Sequence, residues 1–286
     1  MISTTMHPDA DQAVHNVASR LELMRATVWR RIATIARNTF REAVRDRVLY
    51  NLVLFVLLLI AGAIFLSELS AAQESKIIVD MGLSACLLFG AFIAIFVGTG
   101  LVFKEIERRT IYAIFAKPVG RGEFLVGKYL GLSSTLAVNV AVMGLGVSIA
   151  LVYVRGGWDM LALHIWPTIM LILLELMILV AVALLFSAFS SPTISASLSF
   201  AVLIIGHFSS DLKTFAASMG TQSTRIFFGA LYYLLPNFSH YSFITPAAHG
   251  QVPSLMHLFS ALLYAVVYIT VLLASATLIF NRRNFK

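Results

Sequence analysis

The sequence predicts an all-α membrane protein with six transmembrane helices, and three observations support this prediction. Of its 286 residues, 59% are hydrophobic and 12% are charged, whereas soluble domains are about 45–50% apolar and about 25% charged. Several apolar runs reach the length of about 20 residues that a helix needs to cross the hydrocarbon core. These runs are continuously apolar rather than alternating, which favours helices over a β-barrel.

The chain divides into a polar N-terminal tail, residues 1–27, and a six-span membrane domain, residues 28–286. The fifth span is the shortest. The predicted spans are Leu49–Ser67, Ile78–Phe103, Tyr129–Val154, Ile165–Phe186, Thr193–His207 and Leu255–Phe280.

The distribution of Lys and Arg predicts the orientation. Seventeen of the 21 lie in the N-terminal arm, residues 103–128 and the C-terminal tail. Only Lys76, Arg155, Lys213 and Arg225 lie in segments on the other side. Because positive residues collect in cytoplasmic segments, we expect a multi-pass protein of the plasma (inner) membrane with both termini in the cytoplasm. The net charge of +7 then reflects topology and not nucleic-acid binding.

Residues 28–48 predict a basic amphipathic helix. Apolar residues such as Val28, Ile32 and Ile35 recur at steps of three and four, while the arginines lie mostly on the other faces. Such helices usually lie in the membrane interface, where arginines reach lipid phosphates. Two roles stay open, which are anchoring alone and an additional contact with a partner.

Residues 103–128 form a charged segment between the second and third spans. Pro118 must end any preceding helix, and Gly120 and Gly122 permit a tight turn. We therefore predict two short helices joined by a turn at the membrane surface. They form either a docking surface or a merely solvated polar loop. The charged residues are Glu105, Glu107, Arg108, Arg109, Lys117, Arg121, Glu123 and Lys128.

The run EIERRTIYAIFAKPVGRGEFLVGKYLG, Glu105–Gly131, resembles the cytoplasmic signature of type-2 ATP-binding-cassette (ABC) export permeases. In that family the matching segment is the coupling helix, which docks in a groove of the ATPase subunit. The six-span layout, the interfacial helix and the long last outer loop are similar as well. By position the matching residues here are Glu105, Arg109, Pro118, Arg121 and Lys128.

The resemblance implies a permease subunit of an ATP-driven exporter, paired with a second permease subunit as a homo- or heterodimer. A separate ATPase would use ATP and Mg²⁺, and this chain would bind no cofactor and catalyse no reaction. Gly122–Tyr129 nearly fits a phosphate-binding loop, but Tyr129 stands where the Mg²⁺-binding Ser or Thr is required. The alternatives are an ion-gradient-driven secondary transporter that uses Glu175 and an intramembrane enzyme.

Glu175 lies in the middle of the fourth span. An ionised carboxylate there costs about 2.5–3.5 kcal/mol on insertion scales, so it must be protonated, paired or in contact with a wet cavity. Two interpretations stay open, which are a group on the translocation pathway and a structural hydrogen bond to a neighbouring helix.

The outer region, residues 207–254, is long for a connection. Its apolar stretch Ile226–Leu235 is too short to span and ends at Pro236, which predicts a re-entrant or interfacial helix. The spacing of His240, His249 and His257 matches no standard metal-ligand pattern, so no metal site is expected.

Overall fold

The computed structural model describes residues 27–44, 54–55, 58, 62, 73–107, 120–157, 160–209, 214 and 222–282, and these residues form helices but no β-strand. A 3-10 turn, Phe238–Tyr241, lies among the helices. In chain order the helices are α1 (residues 27–44), α2 (Glu74–Glu107), α3 (Arg121–Arg155), α4 (Met160–His164), α5 (Trp166–Ser187), α6 (Pro192–His207), α7 (Gln222–Leu234), α8 (Ile244–Ala248) and α9 (Leu255–Arg282).

Four stretches of the described residues are long and apolar enough to cross a membrane: Glu74–Gly100, Arg121–Arg155, Met160–Ser187 and Leu255–Phe280. They correspond to the predicted second, third, fourth and sixth spans. The predicted fifth span is α6, which has 16 residues and is shorter than a full crossing requires. The predicted first span, Leu49–Ser67, lies largely outside the described residues.

Helix α5 is the centre of the bundle and packs against α2, α3, α6 and α9. Its 22 residues are almost all apolar, as a helix surrounded by other helices requires. Pro167 lies in its first turn, where the missing N–H removes no helical hydrogen bond. After Ser187 the chain turns, and Pro192 begins α6. Helices α5 and α6 therefore form an antiparallel hairpin.

Helix α1 confirms the helix predicted from residue 28 onward, and its apolar stripe lies against α3. Ile32 is buried, and a Cβ added at Gly127 would lie 2.7 Å from the Cβ of Ile35. A Cβ added at Gly131 would lie 2.5 Å from the Ala36 carbonyl oxygen. Glycines spaced four apart allow such close backbone approach. The apolar stripe therefore contacts a helix of the same chain.

The outward surface of α9 is apolar along most of its length. Phe259, Leu263 and Val267 are exposed, and only 17% of the most apolar part of this helix is buried. In water such a surface would be costly, since about 25 cal/mol is lost per Å² of exposed apolar area. In a bilayer the lipid tails cover it. This exposure is therefore consistent with the membrane location that the composition predicts.

We predict that Gly131→Ala destabilises the protein, because the added methyl group would meet the backbone of α1. Overpacking of this kind typically costs about 1–3 kcal/mol. The measurement is the thermal unfolding temperature in detergent, which should fall. Gly100→Ala is the matched control, because a Cβ there has nothing within 4 Å and brings the same gain in helix propensity. Equal unfolding temperatures for the two variants would contradict the close α1–α3 contact.

Candidate functional site

The predicted coupling segment, residues 103–128, is described only at its two ends. Helix α2 continues to Glu107, and α3 begins at Arg121 and runs without a break for 35 residues. The second of the two predicted helices therefore begins at Arg121 and is continuous with the predicted third span. Of the predicted site residues, Glu105 and Glu107 lie in the last turn of α2, their side chains outside the description, and Arg108, Arg109, Lys117 and Pro118 lie outside the described residues.

Arg121 joins the first turn of α3 to the last turns of α9. Its Nη1 donates a hydrogen bond to the Phe280 carbonyl oxygen at 2.8 Å. The rings of Phe124 and Phe280 stack beside it, with centroids 6.4 Å apart. Carbonyl groups near a helix C-terminus carry partial negative charge, so a guanidinium group is a favourable partner for them. The beginning of α3 and the end of α9 are thereby held together.

Two ion pairs join α3 to α1. Arg31 Nη1 lies 3.7 Å from Glu123 Oε2, and Lys128 Nζ lies 3.6 Å from Glu42 Oε2. The Lys128 side chain is only 4% exposed, and its Nζ lies 5.8 Å from the centroid of the Phe124 ring. A lysine buried to this degree needs such partners, because an unpaired buried charge is costly.

We call this set of contacts the α1–α3–α9 junction. It contains three of the predicted coupling residues, Arg121, Glu123 and Lys128, and in each case the structure shows a contact within the same chain. Sequence reasoning missed these partners because they come from α1 and the end of α9. The spacing of Gly127 and Gly131 around Lys128 was the available signal, since it marks a helix face that another helix approaches. The members are Arg31, Glu42, Arg121, Glu123, Lys128 and Phe280.

A second polar site lies inside the bundle at Glu175. This residue is 1% exposed, and His207, the last residue of α6, brings its Nε2 to 3.3 Å from Glu175 Oε1. The separation suits an ion pair, but the alignment is poor: among the described residues Oε1 accepts no well-formed hydrogen bond. We therefore describe the contact as electrostatic. The other ring nitrogen, Nδ1, lies 3.1 Å from the Leu203 carbonyl oxygen.

The sequence analysis identified Glu175 but missed its partner. In the α5–α6 hairpin, Glu175 lies 12 residues before Ser187 and His207 lies 15 residues after Pro192. At 1.5 Å per residue both lie roughly 20 Å from the turn, and so at a similar depth. This similar depth was the signal that could have identified the pair, and it can be recognised only when α5 and α6 are known to pack as a hairpin.

Residues 236–241, which we call the 236–241 turn, pack against this same end of α6. A Cβ added at Gly206 would lie 2.8 Å from the Pro236 carbonyl oxygen. The rings of His207 and Phe238 have centroids 5.9 Å apart. Phe238 is fully buried. Because glycine leaves room for both Pro236 and Phe238, the 236–241 turn reaches the level of the Glu175–His207 pair.

Hydrogen bonds fix the 236–241 turn to its neighbours. Asn237 Oδ1 accepts hydrogen bonds from Ser209 and Ser239, each at 2.5 Å. The Asn237 backbone N–H donates to the Tyr264 hydroxyl oxygen at 3.0 Å. Tyr241 donates its hydroxyl proton to the Ala261 carbonyl oxygen at 2.8 Å. The 236–241 turn is thus attached to the end of α6 and to α9.

The predicted short apolar helix at Ile226–Leu235 corresponds to α7, which has 13 residues. Its side chains Ile226, Phe227 and Tyr233 are exposed. The helix ends just before Pro236, as the sequence predicts. From there the chain enters the 236–241 turn, and α8 then packs against α2. Residues 236–248 therefore pack against the helical bundle.

Of the three histidines considered in the sequence analysis, His240 and His257 lie together and His249 lies apart. The rings of His240 and His257 have centroids 4.7 Å apart, and burial, together with the neighbouring His257, lowers the pKa of His240. His249 is exposed and places its Nδ1 2.9 Å from the Thr245 carbonyl oxygen. Within the part of the chain that the structure describes, no group of three or more His, Cys, Asp or Glu side chains is arranged to hold a metal ion.

Comparison with known families decides the identity. A family model described as "ABC-2 family transporter protein" matches residues 33–285. The chain belongs to this family. The match covers the Glu175–His207 pair and every member of the α1–α3–α9 junction except Arg31. The ABC-2 chain is therefore a multi-pass membrane protein and the permease subunit of an ABC transporter, a family in which the ATPase activity resides in a partner. No curated protein matches the sequence closely enough to count as a relative.

We predict that Lys128→Glu destabilises the ABC-2 permease and that the double change Lys128→Glu with Glu42→Lys recovers part of the loss. The expected cost lies between the exposed-pair value of about 0.2–1 kcal/mol and the buried-pair value of about 3–5 kcal/mol, because Glu42 is 45% exposed. Unfolding temperatures of the wild type, both single variants and the double variant form the cycle. Additive effects in the double variant would exclude a direct interaction.

Proposed function

We propose that this chain is the permease subunit of an ATP-driven exporter, and that a separate ATPase subunit moves it through residues 103–128. The α1–α3–α9 junction is the observation that carries the proposal. It begins at Arg121, immediately after the central part of the coupling segment. A loop that is merely solvated does not require contacts at its end that join three helices.

The junction supplies a route for force. A displacement of residues 103–120 reaches Arg121, which holds the end of α9 through the Phe280 carbonyl oxygen. The same displacement reaches α1 through Glu123 and Lys128. Because short contacts on both sides connect the three helices, they respond as one rigid body. Closure of the ATPase around ATP and Mg²⁺ would thereby tilt α3 and α9 together.

The proposed assembly contains two permease subunits, identical or different, with two ATPase subunits docked on the cytoplasmic side of the plasma (inner) membrane. The excess of Lys and Arg in the N-terminal arm, residues 103–128 and the C-terminal tail supports cytoplasmic termini. Exposed Arg30, Arg37 and Arg41 on α1 face away from α3 and add positive charge on this side. In this assembly the chain itself binds no cofactor.

Family membership favours the ATP-driven mechanism over the two alternatives. An ion-gradient-driven secondary transporter would use Glu175 as its proton carrier, and an intramembrane enzyme would use it as an acid or base. Neither alternative gives a role to the charged segment that joins α2 to the α1–α3–α9 junction. In an ATP-driven exporter, that segment docks on the ATPase subunit and the junction transmits the movement of the segment to the helices.

We predict that Pro118→Ala and Arg121→Glu each lower the ATPase rate of the purified permease–ATPase complex while membrane insertion survives. For Arg121→Glu we expect a loss of roughly tenfold or more, because a hydrogen bond to a charged group contributes about 1.5–3 kcal/mol. Lys76→Glu is the matched control, because it reverses an exposed charge in a segment predicted to lie outside. Wild-type hydrolysis by both coupling variants would contradict the docking role.

We also predict opposite exposure of Lys76, near the start of α2, and Lys117, in the coupling segment that follows α2. Cys86 is the only cysteine, so Cys86→Ala provides a background for single labels. A membrane-impermeant thiol reagent applied to intact cells should label Lys76→Cys and leave Lys117→Cys unlabelled until the membrane is opened. Labelling of Lys117→Cys in intact cells would place the coupling segment on the wrong side for an ATPase.

A further inference from the structure

The hydrogen-bonding geometry of His207 determines where one of its protons lies. The Nδ1 atom is 3.1 Å from the Leu203 carbonyl oxygen. A carbonyl oxygen only accepts hydrogen bonds, so Nδ1 must carry a proton. In the neutral ring the lone pair is then on Nε2, the atom that faces Glu175 Oε1 at 3.3 Å.

Counting protons on the pair gives one favourable state. If His207 were neutral and Glu175 ionised, the Nε2 lone pair would lie beside a buried carboxylate, and the two would repel each other. The negative charge of the carboxylate would also be uncompensated. One additional proton removes both problems. It lies either on Nε2, giving an ion pair, or on the carboxyl group, giving two neutral groups. In both cases the net charge of the pair is zero.

The surroundings of the pair make this count matter. Among the described residues, Glu175 is 1% exposed and His207 is 31% exposed, so the pair is accessible from the side of His207. On that side lies the 236–241 turn, whose Phe238 ring packs against the His207 ring. An anion left on Glu175 is therefore solvated only if the 236–241 turn moves away.

We propose that Glu175 and His207 form a proton-binding site inside the bundle, and that the bound proton keeps the 236–241 turn seated on the end of α6. The site takes up one proton in the seated state and releases it when the 236–241 turn leaves and water enters. The proposal concerns this end of the bundle alone and does not depend on coupling to an ATPase.

Other titratable groups near the pair are few. From the 236–241 turn, Tyr241 interacts electrostatically with Glu175. Burial, followed by Tyr264 and then Glu175, raises the pKa of Tyr241, so this residue stays neutral. Within α2 and α9, the titratable residues away from the helix ends are Cys86, Tyr264 and Tyr268. In the helices packed against α5, every Asp, Glu, Lys and Arg lies within the first or last eight residues. Among the residues that the structure describes, no other charged side chain lies at the depth of Glu175 and His207.

The direction of the pH effect follows from the proton count. In water, Glu and His titrate near about 4.3 and about 6.5, so an unseated pair holds no extra proton above about pH 6.5. The seated pair holds one. Because the seated state binds more protons, raising the pH above this value favours the unseated state, by up to about tenfold per pH unit.

Disulfide trapping of the full chain in lipid vesicles tests the proposal. In the Cys86→Ala background, Ser209→Cys with Ser239→Cys reports the seated state, because the two hydroxyl oxygens are 3.4 Å apart. The matched control is Ser190→Cys with Ser195→Cys at the other end of the α5–α6 hairpin, where the oxygens are 2.7 Å apart. Dividing the initial crosslinking rate of the test pair by that of the control pair cancels the effect of pH on thiol reactivity. The rate of the control pair alone shows whether the protein is folded.

We expect this ratio of the two rates to fall as the pH rises above about 6.5. In Glu175→Gln, whose amide is neutral at every pH, the ratio should be independent of pH over this range. In His207→Gln the midpoint should move, because one of the two groups that share the proton is gone. A ratio that is constant with pH in the wild-type background would overturn the proposal. So would a Glu175→Gln curve that matches the wild-type one, or an unchanged midpoint in His207→Gln.

Discussion

The contact between the backbone of α1 and the glycines of α3 is the constraint on which the rest of the molecule depends. A side chain at Gly131 would collide with the Ala36 carbonyl oxygen. Without this close approach, the side chains of Arg31 and Glu42 would be too far from Glu123 and Lys128 to form the two ion pairs. The close contact is possible only because two residues, four apart on one helix face, have no side chain. The two ion pairs then fix the orientation of α1 at the close contact that the glycines permit.

Helix α9 connects the two sites. Near its end, the Phe280 carbonyl oxygen accepts the hydrogen bond from Arg121, and near its start the Ala261 carbonyl oxygen accepts one from Tyr241. These positions are 19 residues apart, or about 28 Å along the helix. In the proposed mechanism, a helix held at both points would transmit a tilt from the junction to the 236–241 turn without any change in its own hydrogen bonds.

Sequence reasoning identified the elements whose evidence is local. Long apolar runs predicted the four crossing helices, periodicity predicted α1, and the lone carboxylate marked Glu175. It missed contacts between distant parts of the chain. Lys128 was expected to face an ATPase because its charge pattern matched a docking segment, whereas its partner Glu42 depends on how α1 packs. His207 was placed at the boundary between the fifth span and the outer region, because its depth beside Glu175 follows only from the α5–α6 hairpin. The ATPase-coupling role stays a prediction for all nine residues, which are Glu105, Glu107, Arg108, Arg109, Lys117, Pro118, Arg121, Glu123 and Lys128.

The rigidity of the α1–α3–α9 junction is the central claim, and spin-label distances test it directly. Labels at Arg37→Cys and Arg282→Cys, both exposed, measure the separation of α1 and α9 in a Cys86→Ala background. Labels at Arg37→Cys and Ile194→Cys, the latter exposed on α6, measure the separation of α1 from a helix outside the junction. When ATP is added to the permease–ATPase complex, the account predicts that the first distance stays constant while the second one changes. A change in the first distance, or no change in either, would contradict it.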